Sequence, residues 1–236
     1  SGVPDLTLTG EVLADIYLRK VTRWNDPAVA RLNPGAALPD APITPLRRSE
    51  SSGTTSIFTE YLSKRSPEFA ASPGTGKDPK WPAGVEGKTG NDGIAEAVKN
   101  TPNAVGYVEL AYATRNGLAF AAVVNKAGKP VRPGAAAVTA AVGAAVAVKQ
   151  EKEPYALHPL AFSFTDAAGD AAYPIVGASY AILFKKQPKD KGPVIVEFLK
   201  WAAGDGQKFA ADLDYAPLPA DLSAKAAELL GTVTFE

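Results

Sequence analysis

Apolar residues recur at intervals of three and four along several stretches of the chain, and this spacing is typical of amphipathic helices. The first stretch follows Thr9 and Gly10, either of which can cap it. A shorter helix is expected to begin at Pro27, which follows the capping candidates Asn25 and Asp26. The pattern predicts helices over 11–18, 57–62, 94–98, 110–116, 192–203 and 222–230. In the helix over 192–203, the expected core face is formed by positions 194, 195, 198, 199 and 202.

Short apolar runs between these helices predict strands. They cover 41–46, 104–109, 118–124, 173–177 and 179–184. Residues 135–150 favour a further helix on composition, but their small apolar side chains define no clear face. Because strands alternate with helices, the predicted fold class is α/β.

The stretch with the clearest chemistry joins the strand over 41–46 to the helix over 57–62. Its sequence is RRSESSGTTS at 47–56, in which Ser52 is a good N-cap candidate. A helix start leaves backbone N–H groups unpaired and carries a partial positive charge. Hydroxyl groups and an arginine beside it favour an oxyanion such as phosphate or sulfate. The plainer alternative is a common strand, turn and capped helix, with the two arginines in solvent.

A second polar stretch, Gly87 to Thr89, invites a nucleotide-binding interpretation. A phosphate loop needs glycine five residues before Gly87, where this chain has Pro82, and no apolar strand precedes the segment. We therefore expect an irregular surface loop within 65–93, after which Asn91 or Asp92 caps the next helix.

Composition narrows the function classes. The 25 basic and 25 acidic residues cancel, which argues against a nucleic-acid-binding protein. The chain has no cysteine and one histidine, His158, so thiolate and multi-histidine metal sites are excluded and no cofactor is expected. With 236 residues and 46% hydrophobic positions, the chain can form one large or two small domains.

The chain resembles, over nearly its whole length, the solute-binding protein of bacterial phosphate ABC importers. The motifs that carry the resemblance are LADIYL (13–18), WND (24–26), RR (47–48), SGT (52–54), KWP (80–82), GNDGI (90–94), GYVE (106–109), AYA (111–113), YPI (173–175) and DLDYAPLP (212–219).

The resemblance implies a two-lobed, hinge-closing α/β fold of the periplasmic-binding-protein type, with the second lobe largely complete and the first lobe incomplete. Residues 1–131 would form the lobe that carries the Arg-Ser-Gly-Thr motif. Residues 132–172 would be a junction segment, and residues 173–236 the C-terminal part of the other lobe.

The resemblance also implies a high-affinity receptor for inorganic phosphate, or a fragment of one with half the site. Arg48 would be the charged clamp, with Glu50 pairing beside it where the family usually has aspartate. Ser52 would supply a hydroxyl, Gly53 a backbone N–H, and Thr54 a backbone N–H and a hydroxyl. No catalytic residue and no metal are implied.

Further expectations concern the partners and location of such a receptor. Its partners would be phosphate and the membrane permease of an ABC importer, and its location periplasmic or extracellular, with a lipid anchor at the outer membrane face as one option. The family's usual N-terminal segment supplies the other half of the site. It is expected to be absent from this chain, through truncation, a shortened form or placement on another chain. The isolated chain should then bind phosphate weakly or not at all, and lose its discrimination against sulfate.

Two other functions stay open at this stage. A phosphate-ester hydrolase would use Ser52 or Thr54 as its nucleophile, although the chain lacks a Gly-x-Ser-x-Gly elbow and offers only His158 as a histidine base. A non-transport adhesion or signalling module on the same fold is the other alternative.

Overall fold

Short strands and helices alternate along the computed structural model, which describes residues 6–148, 155 and 158–236. The helices are α1 (Gly10–Tyr17), α2 (Pro27–Ala30), α3 (Gly53–Arg65), α4 (Pro67–Ala71), α5 (Gly90–Asn100), α6 (Leu110–Arg115), α7 (Ala135–Val146), α8 (Gly192–Ala203) and α9 (Ala220–Gly231). The strands are β1 (Thr7–Leu8), β2 (Thr44–Arg48), β3 (Glu86–Lys88), β4 (Ala104–Val105), β5 (Ala122–Val124), β6 (Pro130–Val131), β7 (Lys186–Gln187) and β8 (Thr234–Phe235).

The sheet that carries the predicted site residue Arg48 has the order β3-β2-β4, and both neighbours run parallel to the central strand β2. The register places Arg48 opposite Lys88 on one side and Thr44 opposite Ala104 on the other. A second sheet has the order β1-β5-β6, and β7 pairs with β8. Each strand of the first sheet is followed by a helix, α3, α5 or α6, so three helices begin near its carboxyl edge.

Three helix starts agree with their predicted caps. Thr9, Asp26 and Ser52 each accept a hydrogen bond from a backbone N–H two or three residues further along. Pro27 occupies the first position of α2, where its missing N–H costs no hydrogen bond.

The largest hydrophobic core lies between α1, α3 and the β3-β2-β4 sheet. Tyr17, Tyr61 and Leu62 are at most 1% exposed there, and burying each such side chain contributes roughly 1.5–3 kcal/mol. An aromatic group within this core stacks Phe58 on Tyr107, with ring centroids 4.3 Å apart. This packing fixes Tyr107 beneath the start of α3.

A smaller core forms between α7 and the segment over 158–178. The face of α7 that the sequence left undefined is set by Ala141 and Ala145, which are buried against Phe164 and Val176. The predicted helix over 135–150 ends earlier, at Val146, and residues 149–150 lie outside the described part of the chain.

Several predicted elements are wrong. The stretch over 173–184 contains no strand, because no described strand lies beside it to complete a ladder. The expected loop around Gly87 contains β3, which gains its strand conformation by pairing with β2, and α4 was not predicted at all. The charged segment over 185–191, for which no strand was predicted, contains β7.

The expected core face of α8 is also wrong. Val194 is 71% exposed and Phe198 is 59% exposed, whereas Val196 is the buried apolar residue. Together with residues 181–183, the exposed side of the helix lines an open apolar groove, whose residues are Ala181, Ile182, Leu183, Val194, Ile195, Phe198 and Leu199. The sequence pattern identified an apolar face but could not show that no described element covers it.

Candidate anion-binding site

The predicted site residues lie at the carboxyl edge of the central strand. Arg48 is the last residue of β2, and Ser52 is the N-cap of α3. In parallel α/β sheets, ligands bind in the crevice outside the carboxyl ends of the strands, where helix starts point their N–H groups. The short turn between Arg48 and Ser52 therefore brings a cation and a helix start together at this edge.

Arg48 is held on two flanks. Its Nε donates to Glu50 Oε1 at 2.7 Å, and its Nη2 forms an ion pair with the same oxygen. On the other flank, its Nη1 donates to Asn91 Oδ1 at 3.2 Å. A guanidinium has five N–H groups, so these contacts leave one N–H on each terminal nitrogen. Two such groups can hold two oxygens of one anion.

Glu50 forms the ion pair with Arg48 that the resemblance implied, and it also holds the start of α5. Its Oε1 accepts the backbone N–H of Gly90 at 3.2 Å. The hydrogen bond from Arg48 lowers the pKa of Glu50 below its ordinary value, so the side chain stays ionised at neutral pH. A carboxylate there tempers the charge of the arginine.

The prediction that Asn91 or Asp92 caps α5 is wrong, because Glu50 takes that role. The helix begins at Gly90 with Thr89 as its N-cap, and Thr89 makes no side-chain capping bond. Glu50, forty residues earlier in the chain, supplies the acceptor instead. Asn91 lies in the first turn and turns its amide to Arg48.

The start of α3 offers free donors. Ser52 is 4% exposed, and its Oγ accepts the N–H of Thr55 at 3.3 Å, which leaves its own proton available. Within the described residues, the backbone N–H groups of Gly53 and Thr54 meet no acceptor at hydrogen-bond distance. Gly53 is exposed, and a Cβ built on it would meet open space.

Tyr107 is a neighbour of the site to which the sequence assigned no role. Its hydroxyl accepts the backbone N–H of Arg48 at 3.2 Å and lies 2.8 Å from Thr55 Oγ1. Burial raises the pKa of Tyr107, so the phenol stays protonated. The residue thereby ties the end of β2 to the first turn of α3. The GYVE motif at 106–109 was its only signal in the sequence.

The contacts of Ser52 and His158 give no support to the hydrolase alternative. His158 is exposed, and its Nδ1 accepts the N–H of Leu160 at 3.2 Å. Among the described residues, no side chain that could act as a base hydrogen-bonds to Ser52 Oγ. The described residues also contain no group of three or more carboxylate, histidine or cysteine side chains arranged to hold a metal.

A helix that crosses a membrane must be both long and largely apolar. Within the described part of the chain, no helix is both long enough and apolar enough to cross a bilayer.

Comparison with known proteins gave one matching family model, the PBP superfamily domain, over residues 3–205. The phosphate-binding protein PstS of Pasteurella multocida is 43% identical over 221 residues, covering 93% of this chain and 62% of that protein. PstS of Methanocaldococcus jannaschii is 40% identical over 220 residues, covering 88% of this chain and 56% of that protein. The chain thus spans about three fifths of the length of the curated relatives it matches.

A solved structure also matches, with a TM-score of 0.69 and 20% sequence identity, over 97% of this chain and 66% of its own. It is that of a high-affinity periplasmic phosphate-binding protein, PfluDING, bound with phosphate. This match confirms the α/β fold of the periplasmic-binding-protein type, while the incompleteness of the first lobe and the lobe boundaries stay predictions. On the family model and this fold, the chain belongs to the PBP superfamily.

Proposed function

We propose that this chain is a non-enzymatic phosphate receptor, or the part of one that carries the Arg48 half of the site. One observation carries the proposal. Arg48 is held in place by Glu50 and Asn91, at the same edge of the sheet as the N–H groups of Gly53 and Thr54. Within the described residues, these two N–H groups meet no acceptor. The names of the PstS relatives support the same ligand.

The proposed mechanism uses few full charges. Arg48 would donate its two remaining N–H groups to two phosphate oxygens, and Ser52 its hydroxyl to another. The N–H groups of Gly53 and Thr54 and the Thr54 hydroxyl would complete this side, aided by the positive end of α3. Glu50 keeps the local net charge low, so the anion is held mainly by directed dipoles. Such a site can release its ligand again, as a transport receptor must.

The wider setting is part of the same proposal. A receptor of this kind would deliver phosphate to the membrane permease of an ABC importer from the periplasmic or outer side. A lipid anchor at the outer face of the membrane is one way to keep it there. The second half of the phosphate site would come from polypeptide corresponding to the part of the relatives that this chain does not match.

Calorimetric titration with inorganic phosphate tests the proposal, with sulfate as a comparison anion. The titration is run on the chain alone and on the chain supplemented with the unmatched part of the Pasteurella multocida relative. We expect weak, poorly selective binding alone and tighter, phosphate-selective binding after supplementation. Arg48→Ala should abolish both signals, and Arg31→Ala, an exposed arginine on the C-terminal side of α2, serves as its control.

Two results would overturn the proposal. One is the absence of phosphate binding in both preparations of the parent chain. The other is phosphate binding that Arg48→Ala leaves as tight as in the parent. Hydrolysis of a phosphate ester that depends on Ser52 would instead favour the enzyme alternative.

A further inference from the structure

A line of three hydrogen bonds runs from Arg48 to the C-terminal part of the chain. Arg48 Nη1 donates to Asn91 Oδ1 at 3.2 Å, and Asn91 Nδ2 donates to Glu109 Oε1 at 3.1 Å. The other carboxylate oxygen of Glu109 accepts the hydroxyl proton of Tyr215 at 2.6 Å. The four side chains come from the end of β2, the first turn of α5, the N-cap of α6 and a turn before α9.

The chemistry of these groups fixes the direction of every bond. Arginine can only donate and an ionised carboxylate can only accept, so the amide of Asn91 must turn its oxygen to Arg48 and its nitrogen to Glu109. The reverse orientation would oppose oxygen to oxygen and nitrogen to nitrogen. The hydrogen bond to Glu109 also raises the pKa of Tyr215 to about 12, which keeps the phenol a donor at neutral pH.

The two ends of this line differ in their surroundings. The side chain of Arg48 is 13% exposed, and Glu50 already holds its Nε and Nη2. Tyr215 is 45% exposed and follows Asp214, whose backbone has a positive φ of 62°. The turn that carries it packs with α8, since Gln207 Oε1 accepts the N–H of Leu218 and Gln207 Nε2 donates to Ala202 O. These hydrogen bonds thus connect the elements packed around α8 with the carboxyl edge of the β3-β2-β4 sheet, where Arg48 lies.

We propose that Asn91, Glu109 and Tyr215 are positioning residues that set the plane of the Arg48 guanidinium. Asn91 holds the Nη1 side, Glu109 holds the amide of Asn91, and Tyr215 holds Glu109. A displacement of the turn around Tyr215 then changes how Arg48 presents its two remaining N–H groups. Its bearing on phosphate rests on the function proposed above, whereas the positioning itself is a property of the ligand-free chain.

The test uses two variants and one matched control. Tyr215→Phe removes a single exposed hydroxyl, and Asn91→Ala removes the amide that touches Arg48. Tyr155→Phe is the control, because its hydroxyl donates to Glu60 at 2.9 Å, in a different polar cluster. Each protein is measured without ligand, through the ¹⁵N–¹H resonance of Arg48 Nε assigned with Arg48→Lys. Each is then titrated with inorganic phosphate under the conditions in which the parent binds it.

We expect both variants to shift or broaden the Arg48 Nε resonance, Asn91→Ala more than Tyr215→Phe. Phosphate affinity should fall about three- to tenfold, in keeping with the loss of one positioning hydrogen bond. Tyr155→Phe should change neither readout. An Arg48 resonance and a phosphate affinity that both equal those of the parent would overturn the positioning role. A resonance shift in a protein without any phosphate affinity would support the positioning role and contradict the proposed function, so the two failures are distinguishable.

Discussion

Ser52 has a structural purpose in this structure and, under the proposed function, a ligand-binding one. Its Oγ accepts the N–H of Thr55 and so caps α3, while its hydroxyl proton stays available beside the free N–H groups of Gly53 and Thr54. Ser66 has the first purpose alone, since its Oγ accepts the N–H of Phe69 at 3.2 Å and caps α4. The two serines allow the cost of a lost cap to be separated from the loss of the proposed ligand donor.

Ser52→Ala should lower the free energy of unfolding by about 1 kcal/mol through the lost cap. It should also weaken phosphate binding about tenfold, because a hydrogen bond to a charged ligand is lost. Ser66→Ala should cost a similar amount of stability and leave binding unchanged. Urea unfolding and calorimetric titration of both variants check this, and equal binding losses would contradict a ligand role for Ser52.

Glu50 makes the stability of the chain depend on acidity. Since Arg48 holds the pKa of Glu50 below its ordinary 4.5, the carboxylate stabilises the folded state above that pH. The stabilisation is lost as the pH falls through the lowered pKa. Glu50→Gln should therefore be less stable than the parent near neutrality, and the difference should shrink below about pH 4.

Thermal unfolding across the acidic range measures this effect. Glu86→Gln is the control, because Glu86 is 55% exposed and its Oε2 lies 3.7 Å from Lys88 Nζ. Exposed pairs of this kind contribute little. A difference between Glu50→Gln and the parent that is constant with pH would contradict the assigned ion pair.

At the scale of elements, the end of β4 depends on a close approach between chain segments. A Cβ added to Gly106 would lie 2.8 Å from Ile94 Cγ2 and 3.2 Å from Val98 Cγ2, both on α5. Only glycine fits here without moving α5 away from the sheet. Such a movement would also separate Arg48 from Asn91, which lies in the first turn of α5.

Gly106→Ala should destabilise the fold by about 1–3 kcal/mol through overpacking. Gly143→Ala, in the exposed middle of α7 where a Cβ meets open space, should stabilise it by about 0.5–1 kcal/mol. Urea unfolding of the two variants is the measurement. A neutral Gly106→Ala would show that α5 can move away from the sheet at little cost.

The sequence predicts those elements whose signals are local. Thr9, Asp26 and Ser52 predict the starts of their helices, because a cap and its N–H partner lie within three residues of each other. The contiguous part of the candidate site, from Arg48 onward, could be proposed from the sequence for the same reason. Asn91 and Tyr107 reach the site only through the pairing of β3 and β4 with β2, and a single sequence does not specify that register.

The strands predicted over 173–184, which the structure does not contain, show where local sequence signals fail. Their apolar residues satisfy a strand pattern, but a strand exists only where a neighbour accepts its hydrogen bonds. The apolar face of α8 shows the same limit, since amphipathicity defines a face without defining what covers it.

At the scale of the whole molecule, nearly all the large apolar side chains that are exposed among the described residues lie from Tyr180 onward. The groove formed by α8 and residues 181–183 includes Ile182, which is 91% exposed, and Phe184 follows at 85%. The large core around Tyr17 and Leu62 is, by contrast, closed. Open apolar surface of this kind favours dye binding and self-association.

The chain should therefore bind an apolar fluorescent dye in its native state and sediment faster as its concentration rises. Phe198→Glu should reduce both effects by placing a charge in the groove. Ala127→Glu adds the same charge to an exposed turn and should leave both unchanged. A monodisperse parent that binds no dye would contradict the expectation.

Two of the tryptophans differ in exposure, so their fluorescence can report separately on the groove and on the core. Trp201 is 46% exposed. Its ring centroid lies 5.9 Å from that of Phe198, which lines the groove, and 6.2 Å from that of Phe209. Trp81 is partly buried and packs against the aromatic core, with its ring centroid 5.4 Å from that of Tyr17. Acrylamide should quench the first and spare the second. A blue shift confined to the quenchable emission would then signal that the groove has been covered, while the protected emission keeps reporting on the core.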